Sequence, residues 1–174
     1  MKKREITAQK ILDVSWSLFQ EHGYAETTTR QIATHASVAT GTVFSHFPNK
    51  IDILKLAMHQ RIDEVLKTAH QENEQTSPRL RLRHYAKFLY RFYCENRPFS
   101  KALLQDLMWH SAFFEDQLTE FKHMLFEGHK YDEVKATAMM DCYFMTLIYG
   151  LNNEHLSPVD LVSLLTAKLQ MIHT

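Results

Sequence analysis

Two cysteines, four glycines and four prolines in 174 residues exclude several architectures at once. Cys94 and Cys142 are too few for a disulfide framework, and neither sits in the paired spacing of metal-binding cysteines. Glycine and proline this scarce argue against a many-turned β structure and in favour of long helices. Neither charge sign is in surplus, with 20 Lys and Arg against 20 Asp and Glu, so no global basic field announces a nucleic-acid partner. No run approaches the roughly 20 apolar residues of a membrane helix, and the charged start MKKREITAQK has no signal-peptide core. A reducing cytoplasm is the expected location, with no membrane partner. A nucleophile–base pattern, a glycine-rich phosphate loop and a paired acid motif are all missing too. Neither an enzyme nor a cofactor is expected.

What is present is apolar material at helical spacing. Hydrophobic residues make up 45% of the chain, ample for a core in a molecule of this size. Ile11, Leu12, Val14, Ser15, Leu18 and Phe19 follow a period of about 3.6 residues and predict a helix over 7–21. Gly23 is placed to end it in a left-handed cap. Pro48 and Asn49 break the chain, and Lys50 starts a long helix with the stripe Ile51, Leu54, Met58, Ile62, Val65 and Ala69. That helix runs out in the polar stretch 71–77. Pro78 opens the next, with Leu82, Tyr85, Leu89 and Phe92 inward and Arg79, Arg81 and Arg83 on a solvated flank; Arg97-Pro98 interrupts it. Shorter helices carry Leu103 with Leu107, then Phe114, Leu118, Phe121 and Leu125 up to Gly128. The stretch 131–149 is apolar on several faces and is expected to end at Gly150. Ser157, Pro158 and Asp160 supply the cap, first-turn proline and first-turn acid of a last helix,. This pattern predicts an all-α chain of about nine helices: an N-terminal three-helix head over 1–49 and a helical body over 50–174.

The stretch 28–50 carries the functional signal. Thr28 and Thr29 open a short helix, and Gln31, three residues after Thr28, completes a capping box,. Ile32, Ala33 and Ala36 share one face, small enough at Ala33 for a second helix to approach. A turn at Ala36-Ser37 leads to a second short helix over 40–46, with Val43 and Phe47 inward at i, i+4 spacing,. Thr40, Thr42, Ser45 and His46 stay outside, and no acidic residue lies between Arg30 and Lys50. Residues 1–50 hold six Lys/Arg against four acids, leaving this end slightly basic. Such a pattern is a helix-turn-helix, which places its second helix in the major groove of DNA.

With these residues in view, the segment from roughly 7 to 58 resembles the head of the tetracycline-repressor (TetR) family of bacterial transcription regulators. The matching positions are Leu18-Phe19, Gly23-Tyr24, Thr28-Thr29, Ile32-Ala33, Ala36, Val38, Gly41-Thr42, Phe47, and Lys50 followed by Leu54. The resemblance covers about a third of the chain. It implies that Thr29 and Lys50 hold phosphates, Thr28 caps, and Arg30, Thr40, Gly41, Thr42, Phe44, Ser45 and His46 lie at or in the groove. Arg30 can reach guanine bidentately, and a threonine methyl can meet that of thymine. Three positions depart from the family pattern. Ser37 stands for the turn glycine, Ala39 for the serine that caps the recognition helix, and Phe44 for its tyrosine. Thr40 is then expected to take over the cap with a one-residue shift.

In the body, aromatic and methionine side chains cluster at Tyr85, Phe88, Phe92, Leu104, Met108, Trp109, Phe113, Phe121, Met139, Tyr143 and Phe144. The resemblance implies that they line a pocket for a small apolar or aromatic effector; plain core is the other reading. Ala138, Cys142, Met145, Leu161, Leu164, Leu165 and Leu169 suit a four-helix interface between two subunits. Eleven histidines raise the question of a metal, with Asp106 and His110 or His123 and His129 as pairs, but no third ligand is specified,. Cys94 stands between Arg91 and Arg97, either a redox-sensitive thiol or an ordinary half-buried one. The expectation is a homodimeric repressor released from a near-palindromic operator by an effector. A ligand-independent regulator acting through protein partners is the alternative.

Overall fold

A computed structural model describes residues 3–172. Among these the chain is all-α: α1 (Lys3–His22), α2 (Thr29–His35), α3 (Thr40–His46), α4 (Lys50–Gln71), α5 (Pro78–Glu95), α6 (Arg97–Leu107), α7 (Glu115–Leu125), α8 (Glu133–Asn152) and α9 (Pro158–Gln170), with a 3-10 turn over Ser111–Phe114. The chain divides into two compact units, Met1–Arg61 and Ile62–Thr174. The boundary therefore lies inside α4 and not at 49/50. The reason is visible in the burial of Ile53, Leu54, Ala57 and Met58, which belong to the first unit.

In the first unit, α1 extends earlier than the apolar pattern indicates, because Thr7 donates to the Lys3 carbonyl in its first turn. Gly23 has φ +87, the left-handed cap that glycine adopts without steric cost. Phe19, Ile11, Ile32 and Val43 are fully buried, with Ala33 and Ala36 beside them. Truncating a side chain such as Phe19 to alanine would cost about 3–5 kcal/mol. Gln9 and Gln60 exchange amide hydrogen bonds at 3.0 and 3.2 Å, fixing α1 to the first part of α4.

The second unit is built around α5, which packs on α6, α7, α8 and α9. Ser77 caps α5 and Pro78 fills its first position. Tyr90 donates to the Tyr143 carbonyl at 2.9 Å, with the two rings stacked 5.1 Å apart. Gly150 lies within α8 and does not end it. A Cβ there would collide with Leu161 of α9, so glycine permits the close α8–α9 approach. Its carbonyl accepts from Arg97 at 2.6 Å. Arg81 is not on a solvated flank: its guanidinium donates to the carbonyls of Gln75 and Leu125 at 3.0 and 3.2 Å, pinning α5 to the end of α7. The capping box of α9 forms as its sequence indicates, between Ser157 and Asp160, and these hydrogen bonds hold the Asp160 carboxyl below its ordinary pKa.

Candidate functional site

The helix-turn-helix assembles from α2 and α3, which pack on each other, while α1 packs on α2. Thr28 accepts from the Gln31 amide at 3.2 Å, and the Gln31 side chain accepts from the Thr28 amide at 2.8 Å, closing the capping box. The turn is made by Ser37 at φ 54, the one non-glycine with positive φ among the described residues. A serine there is strained by about 1 kcal/mol relative to glycine. The expected shift of the second cap does not occur. Ala39 is the N-cap of α3 and offers no side-chain bond; its carbonyl accepts from Thr42 at 2.8 Å. Thr40 is already the first residue of the helix, where its hydroxyl cannot serve that role.

Val43 and Phe47 turn inward and leave an outer face made of Thr40, Gly41, Thr42, Phe44, Ser45 and His46. Thr40, Gly41, Phe44 and Ser45 are exposed, and Thr42 and His46 are half-exposed. Phe44 shows 47% of its surface, a large apolar ring only half covered by its own chain. A Cβ on Gly41 would meet nothing within 4 Å. Packing within the chain therefore does not require glycine at this position. The Ser45 hydroxyl bonds back to the Thr42 carbonyl at 2.8 Å, so it can still accept from a partner. Arg30 is exposed beside this face and Thr29 is half-exposed.

Lys50 has a different place from the others. Its ammonium donates to the carbonyls of Tyr24, Ala25 and Thr27 at 2.7, 3.1 and 3.0 Å and lies 4.5 Å from the centre of the Tyr24 ring. Desolvation lowers its pKa, partly offset by Glu26. Three N–H bonds on three carbonyls use every donor an ammonium has, so Lys50 clamps the turn between α1 and α2. Apolar spacing gives no signal for such a clamp, because its acceptors are backbone atoms.

In the second unit, an open groove of about 470 Å³ lies between α4 and α7, lined by Asp63, Leu66, Lys67, His70, Gln71, Gln117, Glu120, Phe121 and Met124. An adjoining apolar cavity of about 40 Å³ shares Leu66, Gln117 and Phe121 with it and is otherwise walled by residues such as Leu103, Leu104, Leu107, Phe114, Tyr143 and Phe144. Of the expected pocket residues, Leu104, Phe121, Tyr143 and Phe144 come together here. Met108, Trp109 and Phe113 do not: they are 70%, 80% and 44% exposed, because α6 ends at Leu107 and the connecting segment turns them outward. Met139 is plain core, and Phe88 and Phe92 pack against His84 and Tyr93. Tyr85 is buried, with its hydroxyl 2.9 Å from His70 Nδ1. The groove residues Asp63, Lys67, His70 and Gln117 escape a search based on apolar clustering because they are polar.

Leu161, Leu165 and Leu169 are buried inside their own chain and belong to its core, not to a subunit interface. Leu164 is half-buried. On α8, however, Val134, Met145 and Tyr149 are 81%, 57% and 50% exposed and recur with Ala138 and Cys142 at helical spacing, forming an outward apolar stripe. Burial raises the Cys94 thiol, with Arg97 opposing more weakly, the opposite of what a reactive thiolate needs. His110 faces Asp106 at 3.3 Å, while His123 stacks on Tyr131 and His129 meets the Thr76 carbonyl. Among the described residues no group of three His, Cys, Asp or Glu could hold a metal, and no helix is long and apolar enough to cross a membrane.

A three-helix head with an unobstructed polar face on α3 defines a helix-turn-helix DNA-binding domain. Residues 11–57 match the family model of bacterial regulatory proteins, tetR family, and the head belongs to that family. The chain is 41% identical over 54 residues to the HTH-type transcriptional regulator HbdR of Aromatoleum sp. (strain CIB), a match covering 31% of this chain and 24% of HbdR. The chain thus spans about a quarter of that curated relative's length. The likeness to solved structures runs the full length. Thermus thermophilus FadR, a TetR-family transcriptional repressor in complex with lauroyl-CoA, aligns with TM-score 0.69 and 23% identity over 95% of this chain and 92% of that one. A TetR transcriptional regulator from Rhodococcus sp. RHA1 aligns with TM-score 0.74 and 18% identity over 99% and 97%. At these identities the second unit shares the fold of those proteins.

Proposed function

We propose that the protein is a homodimeric transcriptional repressor that binds a near-palindromic operator and leaves it when a small molecule occupies the second unit. The observation that carries the DNA-binding part is the outer face of α3, where Gly41, Thr42, Phe44 and His46 are presented without an acidic neighbour. Arg30, Thr29 and Thr28 flank it on α2 and its cap. Thr42 and His46 read base edges and Arg30 reaches a base or phosphate beside them. The protein acts by occupancy and not by catalysis.

The dimer forms through the outward stripe of α8, with Ala138, Cys142 and Met145 in it and Leu164 at its edge. A twofold pair sets two copies of α3 about one turn of DNA apart. Effector binding acts through α4, which starts in the first unit and ends at the groove residues Asp63 to Gln71. A ligand shifts the equilibrium only by the difference in its affinity for the two arrangements. FadR in complex with lauroyl-CoA supports a small-molecule ligand for a body of this fold. The small inner cavity favours a second reading, a ligand-independent regulator whose exposed Met108 and Trp109 meet a protein partner. Selection of genomic fragments by the purified protein, repeated with candidate effectors, separates the two readings. Fragments sharing a near-palindrome, released by a compound, support the first; fragments that no compound releases support the second.

A further inference from the structure

Where the start of α5 meets the end of α9, the second unit has another cavity, of about 230 Å³. It shares no lining residue with the groove between α4 and α7 or with the apolar space beside that groove. Its charged lining is of one sign, Arg79 and Arg83, with no acid. The two arginines lie four residues apart on α5, a spacing at which like charges repel. Both are half-buried, and among the described residues neither guanidinium meets a carboxylate. The first turn of α5 holds no acid either, although an acid there would suit the positive end of a helix. Arg81, between them, is accounted for by the carbonyls of Gln75 and Leu125. Arg79 has only a long contact of 3.4 Å to the Leu169 carbonyl. We propose that this cavity is a site for a phosphate dianion, free or as the ester of a short carbon chain.

The donor set fits that chemistry. A guanidinium presents its N–H groups as a planar fork that matches two oxygens of a phosphate, and two guanidiniums balance two negative charges. A carboxylate would balance only one. The Ser77 oxygen accepts from the Leu80 amide, which leaves its hydrogen to donate into the cavity. The Gln170 amide supplies further N–H groups from α9,. The Thr166 hydroxyl takes no part, since it donates to the Val162 carbonyl at 2.7 Å. Leu80, 39% exposed, and the buried Leu169 form an apolar side on which a few carbons can lie. The cavity is smaller than the roughly 300–1,000 Å³ of sites for drug-sized ligands, which keeps the ester short. The site stands whether or not the groove between α4 and α7 holds an effector.

Titration calorimetry of the full chain with propyl phosphate, inorganic phosphate and butanoate tests the assignment. The better phosphate ligand should bind once per chain, at least about ten-fold more tightly than butanoate. Tighter binding of propyl phosphate assigns the site to an ester, and equal or tighter binding of inorganic phosphate assigns it to the free ion; either supports the site. Arg83→Gln should weaken phosphate binding by about ten-fold or more. Lys87→Gln removes the same charge from an exposed position one turn further along α5, outside the cavity, and should change affinity by less than about two-fold. Arg83→Lys keeps the charge without the fork and should fall between the native chain and Arg83→Gln. Helical content, measured for each variant, separates loss of the site from loss of the fold. Butanoate binding as tightly as both phosphates, binding of none of the three, or equal losses in folded Arg83→Gln and Lys87→Gln would overturn the proposal.

Discussion

The Lys50 ammonium has three N–H bonds, and the turn before α2 supplies three carbonyls for them. A side chain so placed holds the turn that leads into the helix-turn-helix. Lys50→Met is therefore expected to lower stability by about 1–3 kcal/mol, since three carbonyls lose a charged donor. Among the molecules still folded, the slope of log affinity against log salt should stay unchanged. A slope reduced by about one would instead mean that Lys50 holds a phosphate. The other residue under tension is Ser37 at φ 54. Ser37→Gly relieves a left-handed serine at some cost in unfolded-state entropy, so thermal unfolding should show a gain of up to about 1 kcal/mol. A loss of stability would contradict the assigned strain. These two residues mark opposite limits of sequence reading. The family pattern points to Ser37 as the turn residue, whereas the backbone acceptors of Lys50 have no side-chain signature.

Between α7 and α8 the chain is held by a polar cluster. Glu133 accepts from Lys122 at 2.6 Å and from the Tyr131 hydroxyl at 2.5 Å, and these hydrogen bonds, Lys122 first, bring its carboxyl down to about 2. A depressed carboxylate contributes stability above its ordinary value of 4.5. That contribution is lost as pH falls from there through the folded value. Glu133 is 60% exposed, so solvent limits the gain. Thermal midpoints measured across that acid range should fall more steeply for the native chain than for Glu133→Gln, and parallel curves would refute the cluster's role. Elements of this kind are legible in sequence where local chemistry dictates them: the Thr28–Gln31 and Ser157–Asp160 boxes, the Gly23 cap and the start of α5 at Pro78. Tertiary contact decides the rest. Gly150 continues α8 because Leu161 needs the space, and Arg81 turns inward because carbonyls at the end of α7 await it.

At the scale of the molecule, apolar composition indicated that a body exists but not which of its faces are inside. Leu161, Leu165 and Leu169 are as apolar as Met145, yet they are buried in their own chain while Met145 is 57% exposed. Met145→Asp on the outward stripe of α8 should therefore abolish the proposed dimer in sedimentation experiments without unfolding the chain, and with it weaken operator binding by about 100-fold or more, because two linked heads bind far more tightly than one. An unchanged mass would place the interface elsewhere. The aromatic cluster of the body was legible as a group, but the exposed side chains after α6 and the polar rim of the groove depend on where α6 stops and how α4 faces α7. The head was legible in greater detail, since its caps, small residues and inward pair lie within one short stretch. The most direct test of the central claim is selection of genomic DNA by the native protein and by a Thr42→Ala/His46→Ala variant. The native chain should enrich a near-palindrome with half-sites about one helical turn apart, and the variant should lose that enrichment while retaining weak binding to random duplex. Equal enrichment by both proteins, or none by the native chain, would contradict the assignment of α3 as the reading helix.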